Sequence, residues 1–516
     1  MKILLFDPPV LRDKANLDDV VNTPLASCLI TGYIGAYLED KGFEVTIISY
    51  PNMGFPEGTD TIPDTSIFRF FDIVGIHLVY QWDNTGRVLQ MARYIKDANA
   101  RTHVTVYGYY PTFTYESLLK ENLFLDSVIV GEPEEPFARL AQLLEKGDKS
   151  RRNVGTVPIP GVAYRSASGI EFRSSMPIEN IDTLPFPLRD NAGTEGEVFY
   201  ILGSRGCFGR CSFCYIPEYH GRTSRWRGRS PENILYEMKY LKEEFGAAYF
   251  YFADANFFGP GLEDKKRANE FVELLKTEKM NVRFGFECMP SDVEEGIFKK
   301  LVSIGLKDVF LGIESGSERI LKLFRRKANK EENRNAIRIV KRLNINLSIG
   351  FIMFTPSSSA TDIRENFEFL KEMELLSSPS NSAHLLSHRE FLFKGMADGE
   401  MNFGSGGEGN RLFYNYEKTY KFEDDGVQMI YDAVYPACKM VLGLFKGEDL
   451  ACVKGDVVER NHISDKINYH LNEYFEDVLC SVKRGDLDKK KLEERYKIFE
   501  QVVTGLMEHQ PMEEGC

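Results

Sequence analysis

Short runs of β-branched and aromatic residues, each of strand length, recur through the first third of the chain at 2–8, 44–50, 71–77, 103–107 and 126–131. Between them, apolar positions repeat at helical spacing, as at 25–41 and 84–99. Strands that are apolar on both faces and alternate with helices predict a parallel sheet covered on both sides, a doubly wound α/β unit over residues 1–145. Ligands of such sheets sit beyond the carboxyl ends of the strands, where the strand order reverses.

The pattern then breaks. Residues 146–197 carry a charged stretch, a turn-forming composition rich in Pro and Gly, and one hairpin signal, GTVPIPGVAYRSASGIEF, which together predict a linker. Alternation resumes over 198–378, with strand candidates at 198–203, 247–253, 281–287, 308–313 and 346–353 and helical patterns at 231–245, 264–279, 292–304, 329–343 and 361–375. Repeated β/α units predict a partial or full parallel barrel whose site lies at the C-terminal strand ends. Residues 379–516 read as mainly helical, without repeats, after a glycine-rich loop at Gly404, Gly406, Gly407 and Gly409. That loop follows no strand and precedes no Lys-Ser/Thr pair, so it is a connector and not a phosphate cradle.

Composition narrows the function. The 516 residues are too many for one core and imply several domains. A net charge of −13 argues against a nucleic-acid groove, which needs a basic stripe. No run of about 18 apolar residues predicts a membrane span. The start, MKILLFDPPV, reads as a buried strand and not a signal peptide. Nine cysteines, an odd count with three of them inside eight positions, favour a reduced, cytoplasmic setting and a metal cluster over disulfides. The plain reading of the six scattered ones is small buried hydrophobes.

The chemistry concentrates in Cys207-Phe-Gly-Arg-Cys211-Ser-Phe-Cys214, directly after the first barrel strand and Ser204-Arg205-Gly206. Three thiolates at spacings of four and three can hold three irons of a [4Fe-4S] cubane and leave the fourth iron open. An open position is what separates a reactive metal site from a closed structural one. A zinc loop is the alternative, with His220 as its nearest fourth ligand, at a spacing that fits no zinc motif.

CxxxCxxC is the signature of the radical S-adenosylmethionine (SAM) enzymes, which this chain resembles at several further positions. Tyr215 occupies the aromatic position whose backbone meets the adenine in that family. Phe252 to Phe257 is similar to the "F.DD.F" segment, with Asp254 lining the SAM pocket. Gly312-Ile313-Glu314-Ser315-Gly316 matches "GIESG", with Glu314 and Ser315 near the SAM amino or ribose groups. Gly350 to Pro356 matches the late "GFI.G.P" strand, with Ile352 at the SAM site and Phe354 in place of the usual glycine, where it would narrow the adenine end. The resemblance implies that SAM chelates the open iron, and that one electron then breaks its S–C5′ bond to give a 5′-deoxyadenosyl radical.

The first unit resembles the Rossmann- or flavodoxin-like cobalamin-binding domain that precedes many radical SAM cores. The matching segments are Asp72 to His77, Tyr107 to Thr112, and Asp126 through Gly131-Glu132-Pro133-Glu134-Glu135-Pro136-Phe137. The resemblance implies cobalamin near His77, Tyr107 and Gly108. Three departures stand out: His77 for a serine, and Tyr107 and Pro133 for glycines that let backbone approach the cofactor. The implied reaction is cobalamin-dependent C-methylation of a natural product or peptide. The alternative, which the bulky replacements favour, is a non-methylating epimerase, dehydratase or cyclase whose first domain has lost cobalamin. Either needs a small-molecule or peptide substrate and an electron donor such as flavodoxin or ferredoxin.

Weaker candidates remain. Arg205, Arg210, Arg222, Arg225, Arg227 and Arg229 surround the cysteine loop and would neutralise the cluster or the SAM carboxylate, or form a solvated face. Cys438, Cys452 and Cys480 lack CxxC pairing, so no second cluster is expected; Cys438 is the candidate hydrogen-atom donor, as in related epimerases. His384, His388 and Arg389 face the substrate or pack the tail on the barrel. The tail, 379–516, is the expected substrate-specificity domain.

Overall fold

The computed structural model describes residues 1–7, 29–49, 65–78, 85–147, 158–189, 198–221, 226–390, 421–445, 457–485 and 489–508. The glycine-rich loop at 404–409, Arg222, Arg225, Cys28, Cys452 and Cys516 lie outside the described residues.

The first sheet has seven strands: β1 (Lys2–Asp7), β2 (Glu44–Ser49), β3 (Ile73–His77), β4 (His103–Tyr107), β5 (Ser127–Ile129), β6 (Val162–Ser166) and β7 (Gly169–Glu171). Their spatial order is β2-β1-β3-β4-β5-β6-β7. The first five are parallel, and β1 pairs with β2 on one side and β3 on the other, so the strand order reverses at β1/β3. Side chains alternate faces along each strand. Ile3 and Leu5 therefore pack under α1 (Leu29–Asp40) and α4 (Glu134–Lys146), while Leu4 and Phe6 pack under α2 (Thr85–Ala98) and α3 (Tyr109–Glu121). Gly75 is required by this packing: a Cβ there would stand 2.6 Å from Cε2 of Phe137, whose ring lies on the strand.

The hairpin within the expected linker is no passive connector. β6 joins β5 antiparallel and extends the first sheet, followed by β7.

The second sheet is parallel, with β8 (Val198–Ile201), β11 (Tyr249–Phe252), β12 (Arg283–Cys288), β13 (Leu306–Glu314) and β14 (Asn346–Phe351) side by side in chain order. Two short strands, β9 (Ser204–Arg205) and β10 (Arg227–Gly228), pair antiparallel beyond β8 and bracket the cysteine loop and the one-turn helix α5 (Ile216–Tyr219). Helices α6 (Pro231–Phe245), α7 (Leu262–Thr277), α8 (Glu295–Ser303), α9 (Glu318–Leu323), α10 (Lys330–Arg342) and α11 (Ala360–Glu372) complete the β/α units of a partial barrel. After β14, the chain is continued laterally by residues 388–390: His388 O accepts from Met353 N and Phe354 N at 3.0 and 3.1 Å, and Glu390 N donates to Phe354 O at 2.8 Å.

The tail is helical, as its sequence predicts: α12 (Pro379–Ser387), α13 (Asp425–Phe445), α14 (Val457–Arg484) and α15 (Lys489–Glu508). It shares one continuous apolar cluster with the barrel, in which Phe367 meets Phe475 at 4.8 Å between ring centroids. No described helix is long and apolar enough to cross a membrane.

Candidate functional site

The cysteine loop leaves the C-terminal end of the second sheet. Gly209 N donates to Cys207 Sγ at 3.3 Å, and Cys214 N donates to Cys211 O at 3.2 Å, so the loop curls with its thiols around it. From behind, α9 and the residues after it hold the loop. Ser212 N donates to Phe324 O at 3.2 Å, and the Phe213 and Phe324 rings meet at 4.8 Å. Arg326 donates to Cys211 Sγ at 3.2 Å, to Gly312 O, and stands 3.8 Å from Glu314.

Burial pushes the Cys207 and Cys214 thiols up, and their cysteine neighbours add to it, because charge on one opposes charge on the next. Thiolates in such a place need compensating cations, which is what bound iron supplies. Among the described residues, no three His, Cys, Asp or Glu side chains converge closely enough to hold a single metal ion. His220, the nearest fourth ligand for a zinc loop, is engaged elsewhere, with Nδ1 2.6 Å from Glu132.

Around the loop, the predicted SAM residues separate into two groups. Tyr215 N-caps α5, and its ring packs against Tyr109 at 4.9 Å and Phe113 at 6.4 Å. Ile352 sits in a small cluster with Ile320 and Phe324, against Phe213 of the loop, and donates its N–H to Glu314 O at 2.8 Å. Glu314 occupies a left-handed backbone position, φ 64°, at a register break between β13 and β14. Such a conformation costs a non-glycine residue on the order of 1–3 kcal/mol and persists where its surroundings impose it. These three lie against the cysteine loop or its arginine. Asp254 and Ser315 are instead turned into buried hydrogen bonds. Asp254 accepts from Gly203 N at 2.6 Å and Ser204 Oγ at 2.9 Å, fixing the entry to the loop; Ser315 donates to Asn366 at 2.6 Å.

The strand ends are electrically loaded. Burial pushes Asp254 up to about 6, against the pull of Arg267 and of its own hydrogen bonds. Burial also raises Glu314, with Arg326 opposing it. Glu287, at the end of β12, is raised well above the carboxylate range by burial and then by Asp254 and Glu314. The sequence reasoning passed over Glu287, although it closes a predicted strand in line with the other two acids. It also passed over Arg326, for which no local signal exists.

At the first sheet, the predicted cobalamin residues gather at the β1/β3 reversal. Thr31 donates to Asp7 at 2.5 Å and lies 2.8 Å from Tyr107 Oη; His77 Nδ1 is 3.3 Å from Asp7, and the His77 and Tyr107 rings stack at 5.3 Å. Gly108 turns the chain into α3 at φ 115°, and a Cβ there would collide with Leu78 O and the His77 ring. Tyr107 is fully buried and His77 nearly so. Buried and bonded to one another, these residues form a closed polar layer at the strand ends. Where it replaces glycine, Pro133 N-caps α4 at φ −91° and ψ −17°, a right-handed conformation and not the left-handed one that would require glycine.

Several weaker expectations change. Arg205 and Arg227 neither neutralise a cluster nor face solvent; both are buried on Glu132 and, for Arg205, on Glu134. Arg229 pairs with Glu237, while Arg210 is exposed. Phe354 does not narrow a pocket beside the loop: its ring meets Phe422 at 5.8 Å and Tyr431 at 5.3 Å, under the tail. Cys438 is fully buried in the helical core, bonded to Ser387, and is not brought together with the cysteine loop. His388 is buried beside His384, which with desolvation lowers it to about 3; its backbone serves the β14 edge.

Comparison with known proteins gives two domain matches: the radical SAM superfamily over residues 201–370 and the B12 binding domain over 31–141. The chain is 26% identical over 386 residues to an uncharacterized methyltransferase of Pyrococcus horikoshii, covering 73% of this chain and 79% of that one. It is 23% identical over 466 residues to the cytidylyl-2-hydroxyethylphosphonate methyltransferase of Streptomyces wedmorensis, covering 77% and 83% respectively. The solved structure of the cobalamin-dependent S-adenosylmethionine radical enzyme OxsB, with aqua-cobalamin and S-adenosylmethionine bound, matches with a TM-score of 0.75 at 17% identity. That match spans 98% of this chain and 80% of OxsB, and it shows a shared fold.

Proposed function

We propose that this chain, whose residues 201–370 match the radical SAM superfamily and whose residues 31–141 match the B12 binding domain, methylates an unactivated carbon of a small molecule or peptide of natural-product type. One observation carries this reading: the first turn of α3, leaving the edge of the B12-binding sheet, lies directly on the cysteine loop, with Tyr109 4.9 Å from Tyr215 and 4.3 Å from Tyr219. A methyl carrier and a radical source must share one substrate, and this contact draws their two edges together.

In the proposed site, Cys207, Cys211 and Cys214 hold the cluster, while Tyr215, Asp254, Glu314, Ser315 and Ile352 form the SAM pocket. His77, Tyr107 and Gly108 underlie cobalamin. When bound, the cluster supplies the electron that cleaves SAM, and cobalamin supplies the methyl group. SAM carries a sulfonium and an ammonium, and the buried acids Asp254, Glu287 and Glu314 supply the opposite charge. Arg326 balances the thiolates from behind. The tail helices select the substrate, and a flavodoxin or ferredoxin in a reducing cytoplasm delivers the electron. The methyltransferase names of two relatives agree with this reading.

A second reading is favoured by the closed floor at Tyr107 and His77: a radical epimerase, dehydratase or cyclase that transfers no methyl group. Anaerobic reconstitution with iron, sulfide, hydroxocobalamin, SAM and reductant tests both. Iron and cobalt content, 5′-deoxyadenosine and S-adenosylhomocysteine are assayed together. Formation of both nucleosides, with a substrate product heavier by one CH2, supports methylation. 5′-Deoxyadenosine without S-adenosylhomocysteine supports the second reading, and neither product rejects both.

A further inference from the structure

The loop that carries the cysteines is closed by a ladder of two residue pairs, Ser204 with Gly228 and Arg205 with Arg227. Two arginines facing each other across antiparallel strands repel. They are also almost wholly buried, where an uncompensated charge is expensive. What holds them together comes from elsewhere in the chain. Glu132, between β5 and α4 of the first sheet, takes Arg227 on both carboxylate oxygens and Arg205 at 3.3 Å. It also meets His220 Nδ1 at 2.6 Å, and Glu134 takes the other nitrogen of Arg205 at 2.5 Å.

Arg205 lies just upstream of Cys207, and His220 follows the helix that begins after Tyr215. The loop is therefore fastened at its entry and its exit to a single carboxylate of the other unit. Burial alone would raise Glu132, but His220, Arg205 and Arg227 hold it far below the carboxylate range. The hub is thus ionised at any working pH.

We propose that Glu132 is a positioning residue of the radical-generating site: supplied by the B12-binding unit, it neutralises the facing arginines that close the cysteine loop and so fixes the loop against that unit. The inference rests on the cofactor set proposed above. It predicts a single separation between the two cofactors, set by this carboxylate and not by cofactor binding itself.

The test is pulsed dipolar EPR on the full chain loaded with a [4Fe-4S] cluster and hydroxocobalamin and reduced with dithionite, so that reduced cluster and cob(II)alamin report their separation. The wild-type chain is expected to give one narrow distance. Glu132→Gln, with cluster and cobalamin contents unchanged, is expected to lose that single distance and give a spread. The double variant Glu132→Gln/Arg227→Gln, which removes the repulsion as well, is expected to recover part of the narrow signal. A single narrow distance in Glu132→Gln overturns the inference alone, as does a double variant no narrower than the single one. A wild-type chain that takes up no cluster or no cobalamin overturns the cofactor reading and this inference with it.

Discussion

At the edge of the first sheet, Asp7, Thr31, His77 and Tyr107 satisfy one another within 2.5 to 3.3 Å. At the corresponding edge of the second, Asp254, Glu287 and Glu314 crowd together, each raised by burial. The two edges come from the same architecture, parallel strands whose carboxyl ends face a ligand. They differ in electrostatic state. The first is closed by its own hydrogen bonds. The second holds buried acid in excess, and ionising it is favourable once a cation or metal cluster arrives. Mutual hydrogen bonding at one edge and carboxyls pushed up by burial at the other leave the two strand ends differently prepared for a ligand.

The largest effect that sharpens this contrast comes from Cys214→Ala. Iron content and 5′-deoxyadenosine formation are expected to fall to background, while uptake of hydroxocobalamin, followed by absorbance, persists. Loss of cobalamin along with iron would show that the edges do not act separately.

A smaller effect follows from Asp254. Its folded-state pKa of about 6 lies above the ordinary carboxylate value, so the folded chain holds a proton there that the unfolded chain releases. Stability of the cofactor-free protein therefore falls as pH rises from about 4 to 6, by on the order of 2–3 kcal/mol. In Asp254→Asn that slope should flatten, as melting temperatures at the two ends of the window will show. An unchanged slope would remove Asp254 from the account of the second edge.

The smallest effect belongs to the first edge. Tyr107→Phe deletes one hydrogen bond to Thr31, which keeps its bond to Asp7. Chemical denaturation should register about 1 kcal/mol. A loss several times larger would mean that the floor is not closed by mutual bonding but held together by that hydroxyl.

Much of this was legible beforehand. The parallel strands β3 and β4 of the first sheet stand out as β-branched runs because helices bury both their faces, while β8 and β11 of the second alternate buried and half-buried positions. The hairpin at 162–171 was legible as a hairpin, yet not as an extension of the first sheet, since pairing partners are not written locally. The arginines flanking the cysteine loop were legible as a charge cluster; Arg210 is exposed, as one alternative expected, whereas Arg205 and Arg227 are buried on Glu132. Their partner, Glu132, lies more than 70 residues upstream, and nothing in the spacing points to it. The direction of the Phe354 ring was not legible for the same reason: it depends on the tail helix that packs over it.

By itself, the sequence determined the order of β/α units and the thiol spacing of one loop, because hydrophobic periodicity and ligand spacing are properties of neighbouring residues. Only the tertiary structure decided which carboxylate meets which arginine, which acids share one strand edge, and which polar groups cancel one another. Those pairings join residues far apart along the chain, and their energies depend on burial and distance, which come into being only when the chain has folded.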